Sequence, residues 1–213
     1  VEEQVPESQL HFELRILLYQ LLWDYLGEES TVGSDQFVYF DASDPGQSVA
    51  PDVYVRLEPR GEPVRSWKTW ERGAPEVAVE LVSESDAGQR PWSHKLQAYG
   101  RLGVRELVRF DPERAGAGRL RIWDRVEGAL VERVLSDAAI PSSVLPLYWI
   151  VAPADEQAVA LRIGDEQRLL VPTRLEAREA EAEARKAEAE ARKAAEARIR
   201  ELEEALARAR RGQ

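Results

Sequence analysis

Three side chains between Pro51 and Pro112 have the types and the order needed to cut a phosphodiester: Asp52, Glu80 and Lys95. Hydrolysis of that bond needs a cation to neutralise the phosphate and to lower the pKa of an attacking water. Hard Mg2+ takes carboxylate oxygens, one or two of them from protein, with water and substrate completing an octahedron. Asp52 follows Pro51 at the start of an apolar run. Glu80 stands among Val77, Val79, Leu81 and Val82, where a lone carboxylate is expensive unless it meets a cation or a paired group. Taken singly, each residue also fits another role: Glu80 a salt bridge to a nearby arginine, Asp52 a turn cap, Lys95 an exposed helix lysine. Lysine scarcity favours the joint reading. Arg outnumbers Lys 25 to 4, and residues 1–172 hold only Lys68 and Lys95. Lys68 is a possible substitute cation, although it sits in a loop beside Trp67 and Trp70.

These residues need a sheet and a helix to bring them together. PDVYVRL (51–57) predicts a strand opened by Pro51, which lacks the N–H a ladder requires. EVAVELVS (76–83) is a near-continuous apolar run, the pattern of a strand buried on both faces. PWSHKLQAYGRLG (91–103) predicts a helix with Pro91 at its first position and Gly103 just past its end, and VRELVRFD (104–111) a further strand. Strand, helix and strand in this order predict a parallel crossover. LRIWDRV (120–126) and ALVERVL (129–135) predict a hairpin through Glu127-Gly128. AVALRI and RLLVP (158–163, 168–172) predict a last hairpin around Gly164-Asp165, and residues 31–41 a strand.

Upstream, residues 8–26 predict a helix from Ser8 to Gly27, with leucines at helical spacing forming one apolar face that must cover a sheet. His11 near its start is expected to pack on that sheet and Glu13 to be solvated; a helix carboxylate aimed at a metal is the sharper alternative. The expected fold is α/β: a mixed sheet flanked by helices over residues 1–172, then a long helix over 173–213.

That last stretch is Ala, Glu and Arg, with EAEARKA at 181–187 repeated at 188–194. Its alanine stripe hands over to Ala195, Ile199, Leu202 and Leu206 one residue out of step, which resembles a stutter. An alanine seam is thin, so a coiled coil is expected to be weak except at Ile199–Leu206. A solitary solvated helix, self-association and a heterologous partner are the three readings.

Composition removes several classes. No cysteine means no disulfide, no Cys-ligated metal and no thiol nucleophile. No apolar run approaches 18 residues, so no membrane span is expected. Val1-Glu2-Glu3 is acidic where a signal peptide would be basic, and a cytoplasmic location is expected. Residues 1–172 carry 18 Lys+Arg against 29 Asp+Glu, a balance of −11, while 173–213 carry 11 against 10. An acidic domain opposes broad binding to nucleic acid, which relies on neutralising phosphates, and leaves room only for a local basic groove.

The runs PDVYV, WKTWERGAPEVAVELVSESD and WSHKLQAYGRLGVRELVRFDP resemble the restriction-endonuclease-like family often called Uma-two, within the PD-(D/E)XK nuclease superfamily. The resemblance covers nearly the whole domain. It implies a restriction-endonuclease-like core, dependence on Mg2+ with Mn2+ as a possible substitute, and cleavage of DNA. Residue by residue, it makes Asp52 and Glu80 metal ligands and Lys95 the catalytic lysine. Ser83 and Asp86 match the polar turn after the Glu strand, and Tyr99 lies one turn beyond Lys95 on the same helix face. One departure matters. The superfamily pattern places lysine two residues after Glu, where this chain has Val82, so the ammonium has to come from the helix.

Two readings follow. An Mg2+-dependent endonuclease, acting on DNA as a homo-oligomer or dimer, requires Asp52, Glu80 and Lys95 to converge in an open cleft. A nuclease-fold module of weak or no activity, working in assembly through a C-terminal coiled coil, requires a closed site and an engaged tail. A generic hydrolase has little support, since no GxSxG, HExxH or P-loop pattern is present.

Overall fold

Five leucines (Leu14, Leu17, Leu18, Leu21 and Leu22) recur at helical spacing, and all are buried on one side of α1 (Gln9–Leu26). Burying each contributes about 1.5–3 kcal/mol. The Ser8 hydroxyl caps the helix by accepting from the His11 N–H at 3.2 Å, and Gly27 ends it at a φ of 64°. The computed structural model describes residues 8–83, 92–116 and 118–211.

The main sheet holds β1 (Thr31–Gly33), β4 (Val53–Arg56), β6 (Val77–Leu81), β7 (Glu106–Phe110), β8 (Leu120–Val126) and β9 (Ala129–Glu132), side by side in that order, with α1 over β1, β4 and β6. β6 and β7 are parallel and the other neighbours antiparallel, so the sheet is mixed. Between β6 and β7 the chain crosses over through α3 (Trp92–Leu102). Side chains alternate across the sheet. Val53, Val55, Val77, Val79 and Val108 pack toward α1, whereas Tyr54, Ala78, Leu107 and Trp123 pack with Tyr99 and Leu102 of α3. The helices that the sequence places against the sheet therefore cover opposite faces. The β8–β9 hairpin turns at Glu127 (φ 49°) and Gly128 (φ 89°), a pair of left-handed residues suited to a two-residue turn.

Two small sheets complete this part. One holds β2 (Val38–Tyr39) between β3 (Ser48–Val49) and β5 (Trp67–Lys68), followed directly by the single turn α2 (Thr69–Arg72). The other is β10 (Ala139–Pro141), β11 (Tyr148–Ala154) and β12 (Gln157–Gly164).

The structure corrects three expectations. Lys68, expected in a loop, ends strand β5 and pairs with Tyr39 of β2. Residues 31–41 form two strands in different sheets. Asp35 adopts a φ of 50°, its N–H donates to the Pro51 carbonyl, and Ser34 Oγ donates to the Asp52 carbonyl at 2.7 Å, so the chain turns away after Gly33. The last hairpin joins 148–154 to 157–164, with Asp155 at a φ of 51° in the turn. Leu170 makes only an isolated bridge to Gly164. Pro153 and the register shift between Ala152 and Ala154 break the alternation that reveals a strand.

The contacts divide the chain into Val1–Thr173 and Arg174–Gln213. The second unit is α4 (Arg174–Arg211), 38 residues with Ile199, Leu202 and Leu206 exposed. Among the described residues no helix is long and apolar enough to cross a membrane.

Candidate active site

Asp52 immediately precedes β4, and Val53↔Val79 pairing sets it beside Glu80 of β6. Its Oδ2 accepts from the Leu81 N–H at 2.7 Å, which fixes the carboxylate and leaves Oδ1 turned toward α1. There His11 Nε2 stands 3.3 Å from Oδ1 and 3.0 Å from the Leu81 carbonyl oxygen. A carbonyl can only accept, so Nε2 carries the proton.

Glu80 is 5% exposed, in a strand buried from end to end. Both of its oxygens are occupied. Lys95 Nζ donates to Oε2 at 2.9 Å, and the Tyr99 hydroxyl makes a short bond to Oε1. Lys95 and Tyr99 are four residues apart on α3, one turn, and so reach the same carboxylate. Burial raises the Glu80 pKa and the Lys95 charge opposes it; Asp52 raises it further, while the bonds from Tyr99 and Lys95 lower it. Tyr99 is pushed well above the usual phenol value by burial and then by the Glu80 charge.

The structure thus brings Asp52, Glu80 and Lys95 together and adds His11 from α1. The other candidates lie elsewhere. Glu13 takes hydrogen bonds from Gln9 at 2.7 Å and Gln157 at 2.6 Å. Lys68 pairs with Glu71 at 3.0 Å on an open surface. Ser83 follows β6 in a loop, and Pro91 and Asp86 lie outside the described residues. Sequence reasoning placed Tyr99 on the Lys95 face without giving its partner. It assigned His11 to packing, because nothing in linear spacing says that the start of α1 reaches the end of β6.

Among the described residues no group of three His, Asp or Glu side chains is close enough to hold a metal ion. The donor set still fits Mg2+, which is commonly held by one or two carboxylates with the remaining positions left to water and phosphate. One polar hydrogen, on His11 Nε2, faces both Asp52 Oδ1 and the Leu81 carbonyl, and an ammonium faces Glu80 Oε2. These oxygens already attract positive charge. All are hard donors, as the ion requires.

Residues 1–146 match the family model Uma2, described as "Putative restriction endonuclease". A solved structure described as a putative nuclease belonging to DUF820, from Anabaena variabilis ATCC 29413, is 14% identical with a TM-score of 0.45. The match covers 67% of this chain and 76% of that chain. No curated protein matches.

Proposed function

We propose that this chain, which belongs to the Uma2 family of restriction-endonuclease-like proteins, is an Mg2+-dependent endonuclease that hydrolyses phosphodiester bonds in DNA. The observation that carries the reading is the convergence of Asp52, Glu80 and Lys95, with Lys95 Nζ at 2.9 Å from Glu80 and Asp52 locked to the main chain of the next β6 residue. Asp52 Oδ1, Glu80 and the Leu81 carbonyl would hold the ion. When bound, it neutralises phosphate charge and acidifies an attacking water.

The remaining work belongs to the chain's own groups. The Leu81 N–H and the Tyr99 hydroxyl orient the two carboxylates, so neither must be reorganised during reaction. Lys95 presents a fixed ammonium at the rim of the buried carboxylate, where charge develops on a phosphate oxygen. Delivered from α3, it replaces the lysine that the superfamily pattern would put at Val82. His11 keeps a polarised N–H at the Asp52 side.

The test is cleavage of supercoiled and single-stranded DNA with Mg2+ or Mn2+, comparing the wild type with Glu80→Ala and Lys95→Ala. Metal-dependent nicking lost in both variants supports the reading. Equal activity in all three proteins, or none in any with no metal binding, overturns it. A second reading, assembly through α4, is favoured by the exposure of Ile199, Leu202 and Leu206. It predicts an oligomer in sedimentation that Leu202→Glu dissolves.

A further inference from the structure

Charge decides which part of α4 can meet a second copy, and in which direction. From Ala177 to Ala194 the alanines at alternating three- and four-residue steps form one seam. The residues flanking that seam are Glu176, Glu181, Glu183, Glu188 and Glu190, so both of its sides are acidic. Parallel self-pairing of this stretch sets one flank against the other, and antiparallel self-pairing sets each flank against itself. Either way glutamate meets glutamate, which opposes association. Arg185 reaches back to Glu181 at 2.6 Å, an exposed pair that offsets one charge and leaves the flanks acidic. A seam of alanine alone buries too little apolar surface to overcome the repulsion.

The terminal seam differs in both respects. Ile199, Leu202 and Leu206 are each about half exposed on a helix whose other seam is alanine. In parallel register each of the three lies on its own copy, and Arg198 of each helix faces Glu203 of the other. Isoleucine at the first core position of the heptad with leucine at the second favours two parallel strands. Antiparallel order is penalised in either alignment. With Leu202 on Leu206 it sets Glu203 against its own copy, and with Ile199 on Leu202 it sets Glu196 against Glu203. Within its own helix Arg198 lies 3.0 Å from Glu201, so the cross-pairs add direction more than strength and the apolar layers carry the association.

We propose that the partner of α4 is a second copy of this chain, joined parallel and in register through residues 195–206, while 176–191 is held apart by its glutamates. This rests on the assembly reading of α4 and is independent of the nuclease reading.

The chain has no cysteine, so single thiols report their own contacts in the full-length protein. The test is oxidative trapping of Ala195→Cys, Ala184→Cys and Arg192→Cys, beside sedimentation of the wild type over a concentration series. A seam residue in parallel register meets its own copy, so Ala195→Cys is expected to give a covalent dimer, and adding Leu202→Glu to abolish it. Ala184→Cys on the acidic seam and Arg192→Cys on the outer face are expected to stay largely reduced. Adding Glu181→Gln, Glu183→Gln, Glu188→Gln and Glu190→Gln together is expected to increase trapping at Ala184→Cys, since the repulsion is removed. Circular dichroism identifies a variant that has lost the helix, and Leu202→Ala, which keeps helix propensity, is then expected to reduce trapping as Leu202→Glu does. A wild type that sediments as an oligomer while Ala195→Cys stays reduced overturns the parallel terminal pairing and leaves the assembly reading standing. Equal trapping at Ala184→Cys and Ala195→Cys does the same, as does preferential trapping of Ala195→Cys with Leu206→Cys in a mixture, the mark of antiparallel order. A wild type that is monomeric at every concentration, with no trapping, overturns both.

Discussion

Replacing Tyr99 by Phe removes one oxygen atom and keeps the ring. The ring is fully buried, and its hydroxyl donates to Glu80 Oε1, so no water can take over the bond. A hydrogen bond to a charged partner contributes about 1.5–3 kcal/mol. For a cooperative unit of this size, 1 kcal/mol moves Tm by about 2–4 °C, which gives a fall of roughly 3–12 °C. The loss depends on pH, and its sign follows from Glu80. Burial holds that carboxyl above the ordinary glutamate range, so its contribution to stability is fully present below the ordinary value and is lost as pH rises through the folded one. The Tyr99 bond lowers the folded pKa and opposes that loss. Without it the carboxyl is pushed higher still. Below the ordinary glutamate value Glu80 is protonated in both states, and the missing bond is a neutral one of about 0.5–1.5 kcal/mol. Once the carboxylate forms, the full deficit appears. Melting of metal-free protein in EDTA, from about pH 5 to about pH 8, should show a Tyr99→Phe deficit that widens with pH. A deficit that stays constant, or equal Tm values at the high end, would refute the argument that this hydroxyl sustains a buried charge.

Two other perturbations test the frame around the site. Glu106 is fully buried and accepts from Arg133, Ser142, Ser143 and the Trp149 indole, which ties β7 to the sheet of β10–β12. Glu106→Gln should cost about 1–3 kcal/mol in chemical denaturation, because the amide nitrogen cannot accept and sets a buried donor against the donors that Glu106 satisfies, although Arg133 and Asp124 remain a balanced pair; a loss below about 0.5 kcal/mol would show that the network is redundant. Gly33 lies opposite Tyr54 in the ladder, and a Cβ there would overlap the phenol ring. Gly33→Ala should therefore destabilise by about 1–3 kcal/mol through overpacking, and unchanged stability would mean that the ring moves aside freely.

The elements legible in the sequence were those with an unbroken period. The leucines of α1, the continuous run of β6 and the turn pair Glu127-Gly128 each declare their structure locally. What failed was interrupted or non-local. Asp35 turns the chain inside what reads as one strand, and Pro153 with its bulge hides β11, so β12 was given the wrong partner. The candidate site divides in the same way. Asp52 and Glu80 stood out because a carboxylate beside a strand-opening proline, or inside an apolar run, is costly and asks for a reason. His11 did not stand out. Its place depends on where α1 meets the end of β6, which is not written in spacing along one segment.

The parallel pairing of β6 with β7 also bears on how the protein is made. The groups gathered at the site run from His11 to Lys95, and β6 lacks its parallel neighbour until the chain has been extended to Phe110. Contacts of such long sequence separation form only after the entropy of closing the intervening loops has been overcome. Synthesis proceeds from the N-terminus at about 5–20 residues per second. The strand that buries Glu80 against β7 is therefore completed only after both acids and the lysine have already been made.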